Sequence, residues 1–162
     1  MKIAFFNSKP YDIEFFNSAN QKYKHEICYF PSRLTDDSAA LITNEGVVCV
    51  FINDCLDEAV LNKLKDSGIK LIALRSAGYN HVDLVCAKRL GLLVLRVPSY
   101  SPYAVAEHAV GLLQCLNRKI HLAYNRVRES DFSLHNLMGV DLHGKTVGVV
   151  GTASQNGVMH IQ

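Results

Sequence analysis

Three observations predict an α/β fold built on a parallel sheet. Short runs rich in β-branched and aromatic residues recur at 3–6, 27–30, 47–52, 71–74 and 92–97. Segments with helical spacing lie between them, and N-capping residues and glycines mark several of their borders. Strands that alternate with helices make βαβ units, whose crossovers require parallel pairing. Five such runs before residue 100 predict a flavodoxin-like sheet over 1–99.

The elements follow in order. The run 3–6 opens the sheet and 27–30 continues it, before 47–52 leads into a helix over 56–65. That helix places Ala59, Val60, Leu61 and Leu64 on one side and has Gly68 just past its end. Beyond 71–74, Asp83 is expected to cap a helix closed by Gly91, and 92–97 is the fifth strand. After Pro98 the pattern changes. Ser101 is a candidate N-cap and Pro102 sits at the first helical position of a helix reaching about Arg126. Tyr103, Val105, Val110, Leu112, Leu113, Leu116 and Ile120 point in nearly every direction around it, the mark of a helix buried between two bodies. A polar stretch over 128–143 follows. Then Gly144-Lys145-Thr146-Val147-Gly148-Val149-Val150-Gly151 reads as a turn into a sixth strand at 146–150, the first of a second domain. The expected organisation is 1–99 as one domain, 100–151 as an interdomain helix and the start of the next, and 152–162 as a divergent tail.

Composition narrows the function classes. With 49% hydrophobic and 20% charged residues, the chain of 162 residues is that of a folded protein rather than a disordered one. A net charge of +2 with scattered Lys and Arg gives no basic patch, so no nucleic-acid partner is expected. The opening apolar run is too short for a signal peptide and no stretch reaches the ~18 apolar residues of a membrane span, so no membrane partner is expected. Cys28, Cys49, Cys55, Cys86 and Cys115 are odd in number and form no C-x-x-C pair, which points to a reducing, cytoplasmic setting. The histidines show no ligand spacing, so no metal site is expected. Glu107 and His108 are neighbours on one helix and do not face each other, so they make no acid/base pair.

The segment Leu74-Arg75-Ser76-Ala77-Gly78-Tyr79-Asn80-His81-Val82-Asp83 joins a strand end to a helix, where open α/β sheets place ligands. Consecutive N–H groups around Ala77 and Gly78 could form a nest for a carboxylate. The plainer reading is a tight turn in which Gly78 supplies an unusual dihedral. Asp54, after the third strand, invites comparison with a phospho-receiver. However, the acidic pair expected after the first strand is replaced by Phe6-Asn7 and the expected lysine by Val97, so Asp54 reads better as a helix-entry residue.

From Val47 to Gly151 the chain resembles the D-isomer-specific 2-hydroxyacid dehydrogenases, and within them the D-lactate type. The resemblance rests on the 74–83 segment, on Arg96-Val97-Pro98-Ser99-Tyr100-Ser101-Pro102, on Ala104-Val105-Ala106-Glu107-His108-Ala109 and on 144–151, in that order. It implies that the backbone of Ala77 and Gly78 holds the substrate carboxylate. It also implies that Tyr100 lies beside the substrate, although a ring packed at the foot of the helix is an equal reading, and that Val105 borders a nicotinamide. Arg75 has a counterpart in the family and is treated as structural.

The reaction so implied interconverts a small 2-keto acid and a D-2-hydroxy acid by hydride transfer with NAD. The family's histidine, glutamate and arginine match no residue here, so the chain alone is expected to lack activity. A dinucleotide turn has the form G-x-G-x-x-G, and here Gly151 is followed by Ala153 and Asn156 in the second and third places. NAD binding by this chain is therefore expected to be poor. The all-round apolar helix makes a homo-oligomer the expected assembly, and a non-catalytic binding or oligomerisation fragment is the competing reading.

Overall fold

The computed structural model describes residues 1–99 and 101–150, and the chain divides into two compact units, Met1–Pro98 and Ser99–Gln162. In the first, β1 (Lys2–Phe5), β2 (Glu26–Tyr29), β3 (Val47–Val50), β4 (Leu71–Leu74) and β5 (Leu93–Leu95) form one sheet in the order β2-β1-β3-β4-β5. Every pair is parallel, as the alternating pattern predicts. The order reverses between β1 and β3, and such switch points open a crevice at the carboxyl ends of the strands.

Local chemistry explains the crossovers. Helix α1 (Pro10–Asn20) begins with a proline whose fixed φ suits the first turn, and the Asp12 carboxylate accepts the Lys9 amide at 2.9 Å. Helix α2 (Glu58–Asp66) starts at Asp57, which accepts the Val60 amide at 3.0 Å. Asp54, expected as the helix-entry residue, lies three residues too early for that role. Val60, Leu61 and Leu64 face the core, whereas Ala59 is exposed because the buried stripe is narrower than the expected one. Asp83 caps α3 (Leu84–Arg89) through the Cys86 amide, and Gly91 closes it with φ +68°, a left-handed value that costs glycine nothing. Among the described residues the core lies within 4–92, with Phe6, Leu34, Val48, Leu61 and Ile72 fully buried around the central strands.

The second unit holds α4 (Pro102–Asn117) and α5 (Ile120–Arg128). The single helix expected to about Arg126 is broken, because Lys119 takes φ +55° and ends the α4 ladder. The Asn117 side chain engages the Val140 backbone from both of its polar atoms, donating from Nδ2 to O at 2.7 Å and accepting from N at 3.0 Å. A Cβ at Gly139 would collide with the Asn117 carbonyl, so only glycine fits there. The helix expected to be buried has no buried residue in this chain. Residues 146–150, expected as a strand, carry none, since a strand needs a hydrogen-bonded neighbour and the described residues of this unit supply none. No helix among the described residues is long and apolar enough to cross a membrane.

Candidate substrate-carboxylate site

At the carboxyl edge of the sheet, residues 75–83 run from the end of β4 to the start of α3. The segment is anchored at both ends. At its start the Arg75 amide donates to Val50 O, while its guanidinium donates to the Asp12 carboxylate at 3.1 Å and to Phe6 O at 2.7 Å. The same guanidinium lies 4.2 Å from the centre of the Phe5 ring and 5.2 Å from that of Phe51. At its end Leu56 bridges to Val82, its amide donating to His81 O and its carbonyl accepting from Asp83 N.

Over residues 76–78 the carbonyls are taken, and the amides of Ala77 and Gly78 are not. Ser76 O accepts from the Val97 amide at 3.1 Å, Ala77 O from Arg96 Nη1 at 2.9 Å, and Gly78 O from Ser76 Oγ at 2.7 Å. Among the described residues the Ala77 and Gly78 N–H groups meet no acceptor. Ala77 is buried, and an unpaired buried amide has a strong preference for a ligand acceptor. Gly78 does not have the left-handed φ expected of a strained turn, and a Cβ added to it would meet nothing within 4 Å. The loop therefore offers two donors and open space beside Gly78, which is what a carboxylate requires.

The titratable groups nearby are structural. Asp54 is 2% exposed and accepts the Leu34 amide at 2.8 Å and the Phe51 amide at 2.6 Å, tying the chain after β3 to the chain before Thr35. Burial pushes its carboxyl above the usual range, and a carboxylate committed to two internal amides is a poor phosphoryl acceptor. Burial also holds the His81 imidazole below the usual histidine range, and its Nε2 has no partner among the described residues. The Cys49 thiol is pushed up to about 12 by burial, against the pull of Arg75, so it stays protonated and unreactive. All five cysteines are free, and the described residues hold no cluster suited to a metal.

Of the residues singled out in the sequence, Ala77 and Gly78 stand side by side on this loop. Val105 lies in α4 and is 50% exposed, and Glu107 and His108 on the same helix are exposed as well. Tyr100, Gly151 and the tail 152–162 lie outside the described residues. Sequence reasoning did not find the partners of Arg75, which are more than 60 residues away, nor the contact of Arg96 with Ala77 O.

An open parallel sheet with two unaccepted amides on a loop at its carboxyl edge defines the first unit as an α/β domain. The family model for the D-isomer specific 2-hydroxyacid dehydrogenase catalytic domain matches residues 3–161, and the chain belongs to that family. It is 55% identical over 159 residues to 2-hydroxyacid dehydrogenase homolog 1 of Schizosaccharomyces pombe, covering 98% of this chain and 48% of that protein. The apo-structure of D-lactate dehydrogenase from Escherichia coli superposes with a TM-score of 0.89 at 46% identity, covering 96% of this chain and 49% of that one. D-lactate dehydrogenase from Lactobacillus jensenii, solved with NAD+, matches with a TM-score of 0.71 at 32% identity over 96% of this chain and 48% of that one. The chain thus spans about half the length of the relatives it matches.

Proposed function

We propose that this chain is the substrate-binding part of an NAD-dependent D-2-hydroxyacid dehydrogenase of the D-lactate type. One observation carries the reading, namely the pair of unaccepted amides at Ala77 and Gly78 with open space beside them. The substrate is a small 2-keto or 2-hydroxy acid, held by its carboxylate at this pair, with Tyr100 beside it. When bound, NAD would supply the hydride chemistry at the substrate carbon that bears the oxygen, and the proton gained or lost by that oxygen would need a separate acid or base. Val105 would give the nicotinamide an apolar wall, and Gly151 would admit the pyrophosphate. Ala153 and Asn156 place side chains where a dinucleotide turn needs glycine, so the residues present do not form a full cofactor site. Domain boundaries near 99 and 151 and a cytoplasmic setting belong to the same proposal.

In a titration of the 15N-labelled chain with pyruvate, the Ala77 and Gly78 amides are expected to shift together, while the neutral analogue pyruvamide leaves them in place. Equal shifts with both compounds would remove the carboxylate reading. The chain alone is expected not to oxidise NADH in the presence of pyruvate, and steady turnover above a protein-free blank would contradict that.

The assembly proposed is a homo-oligomer. Val105, Leu112, Leu116, Ile120 and Val127 are each at least half exposed on α4 and α5, and leaving such a side chain in water forgoes roughly 1.5–3 kcal/mol. Light scattering at micromolar concentration is expected to give at least the dimer mass. A stable monomer would count against it.

A further inference from the structure

We infer that Arg96 is a positioning residue for the carboxylate cradle, acting through the Ala77–Gly78 peptide; the inference rests on the cradle reading above. A trans peptide is planar, so the carbonyl of one residue and the N–H of the next point in opposite directions. Whatever holds the Ala77 carbonyl therefore aims the Gly78 N–H. Arg96 Nη1 holds it at 2.9 Å, with the guanidinium 5.5 Å from the centre of the Tyr79 ring. One peptide earlier the same logic applies, since the Val97 amide holds Ser76 O at 3.1 Å and so aims the Ala77 N–H. Two consecutive residues after β5 thus set the directions of both donors.

The two contacts are not equivalent. Val97 contributes a neutral backbone donor, whereas Arg96 contributes a cation, and charge on a carbonyl oxygen draws electron density from the peptide and makes its N–H a stronger donor. Gly78 is otherwise held only at its own carbonyl, which accepts from Ser76 Oγ at 2.7 Å and belongs to the next peptide, while its φ is unstrained and the space where a side chain would lie is open. Arg96 is itself exposed, so its removal leaves the core untouched. The assignment also explains why β5 pairs with β4 only as far as Leu95 opposite Ala73, although the strand expected from the sequence continues to Val97. Residues 96 and 97 leave the sheet to serve the loop.

The test compares the 15N-labelled full chain with Arg96→Met, Arg96→Gln and, as a control for charge alone, Arg89→Met, which removes an arginine paired with Glu58 on the surface of α2 and α3. In Arg96→Met the Gly78 amide proton is expected to move upfield before any ligand is added. The dissociation constant for pyruvate should rise about tenfold, the scale of one charge-assisted hydrogen bond. Arg96→Gln, a neutral donor, should fall between, and it decides the matter if Arg96→Met loses its fold. Arg89→Met should bind as the parent does. The inference is overturned if the Arg96 variants bind pyruvate as tightly as the parent, or if Arg89→Met weakens binding by the same factor. An unsubstituted chain whose Ala77 and Gly78 amides ignore pyruvate would instead overturn the cradle reading, and the role of Arg96 with it.

Discussion

Asp12→Ala is expected to destabilise the first unit by about 3–5 kcal/mol, the cost of stranding a buried cation. The Asp12 and Arg75 side chains are only 11% and 12% exposed, with Asp12 Oδ1 3.1 Å from Arg75 Nη1. Arg75 has few alternatives, since Phe6 O takes one nitrogen, its Nε already lacks a partner, and the Phe5 and Phe51 rings and the protonated Cys49 thiol are its other neighbours. Removing the carboxylate also frees the Lys9 amide at the start of α1. Against a typical domain stability of about 5–15 kcal/mol, such a loss should be plain in urea unfolding. Asp12→Ala with Arg75→Met should recover part of it, because the pair then leaves no unpaired charge. A single variant within about 1 kcal/mol of the parent would show that the pair is solvated and carries little.

The pair also shows where sequence reading stops. Strands β3 and β4 and the caps at Asp83 and Gly91 were legible because their signals are local: a β-branched run, an acceptor three residues before its amide, a glycine just past a helix. Arg75 was seen only as a family residue without a partner, because Asp12 lies 63 positions away and only the sheet brings them together. The break at Lys119 was hidden for a related reason. No glycine or proline marks it, and the Asn117 contact with Val140 spans 23 residues. The cradle was half legible. Small residues after a parallel strand suggested two amides for a carboxylate, but their directions depend on Arg96 and Val97, which the pattern assigned to a strand. Gly78 was suspected for its dihedral, but its φ is ordinary and the space beside it is open.

The opposite edge of the sheet should govern acid stability. Glu45, whose side chain is 3% exposed, sits just before β3 and accepts the Thr43 amide at 2.8 Å and the Asn44 amide at 3.0 Å, with Lys2 Nζ 3.2 Å away. Burial pushes its carboxyl upward, but the amides of Asn44 and Thr43 and the Lys2 ammonium outweigh it and hold the group at about 2, down from 4.5. Because the unfolded chain binds this proton more readily, the stabilisation is fully present above about pH 4.5 and is lost as pH falls towards 2. A shift of this size corresponds to about 3 kcal/mol. Glu45→Gln should therefore lower stability at pH 7 by about that amount and leave it almost unchanged near pH 2, so that the two urea-midpoint curves converge on acidification. Other carboxylates titrate in both proteins and cancel in the difference. Curves that run parallel from pH 7 to pH 2 would mean that Glu45 holds no special proton affinity. Glu45 lies at the amino edge, beside the first residue of β1, so the substitution should not move the pyruvate shifts of Ala77 and Gly78.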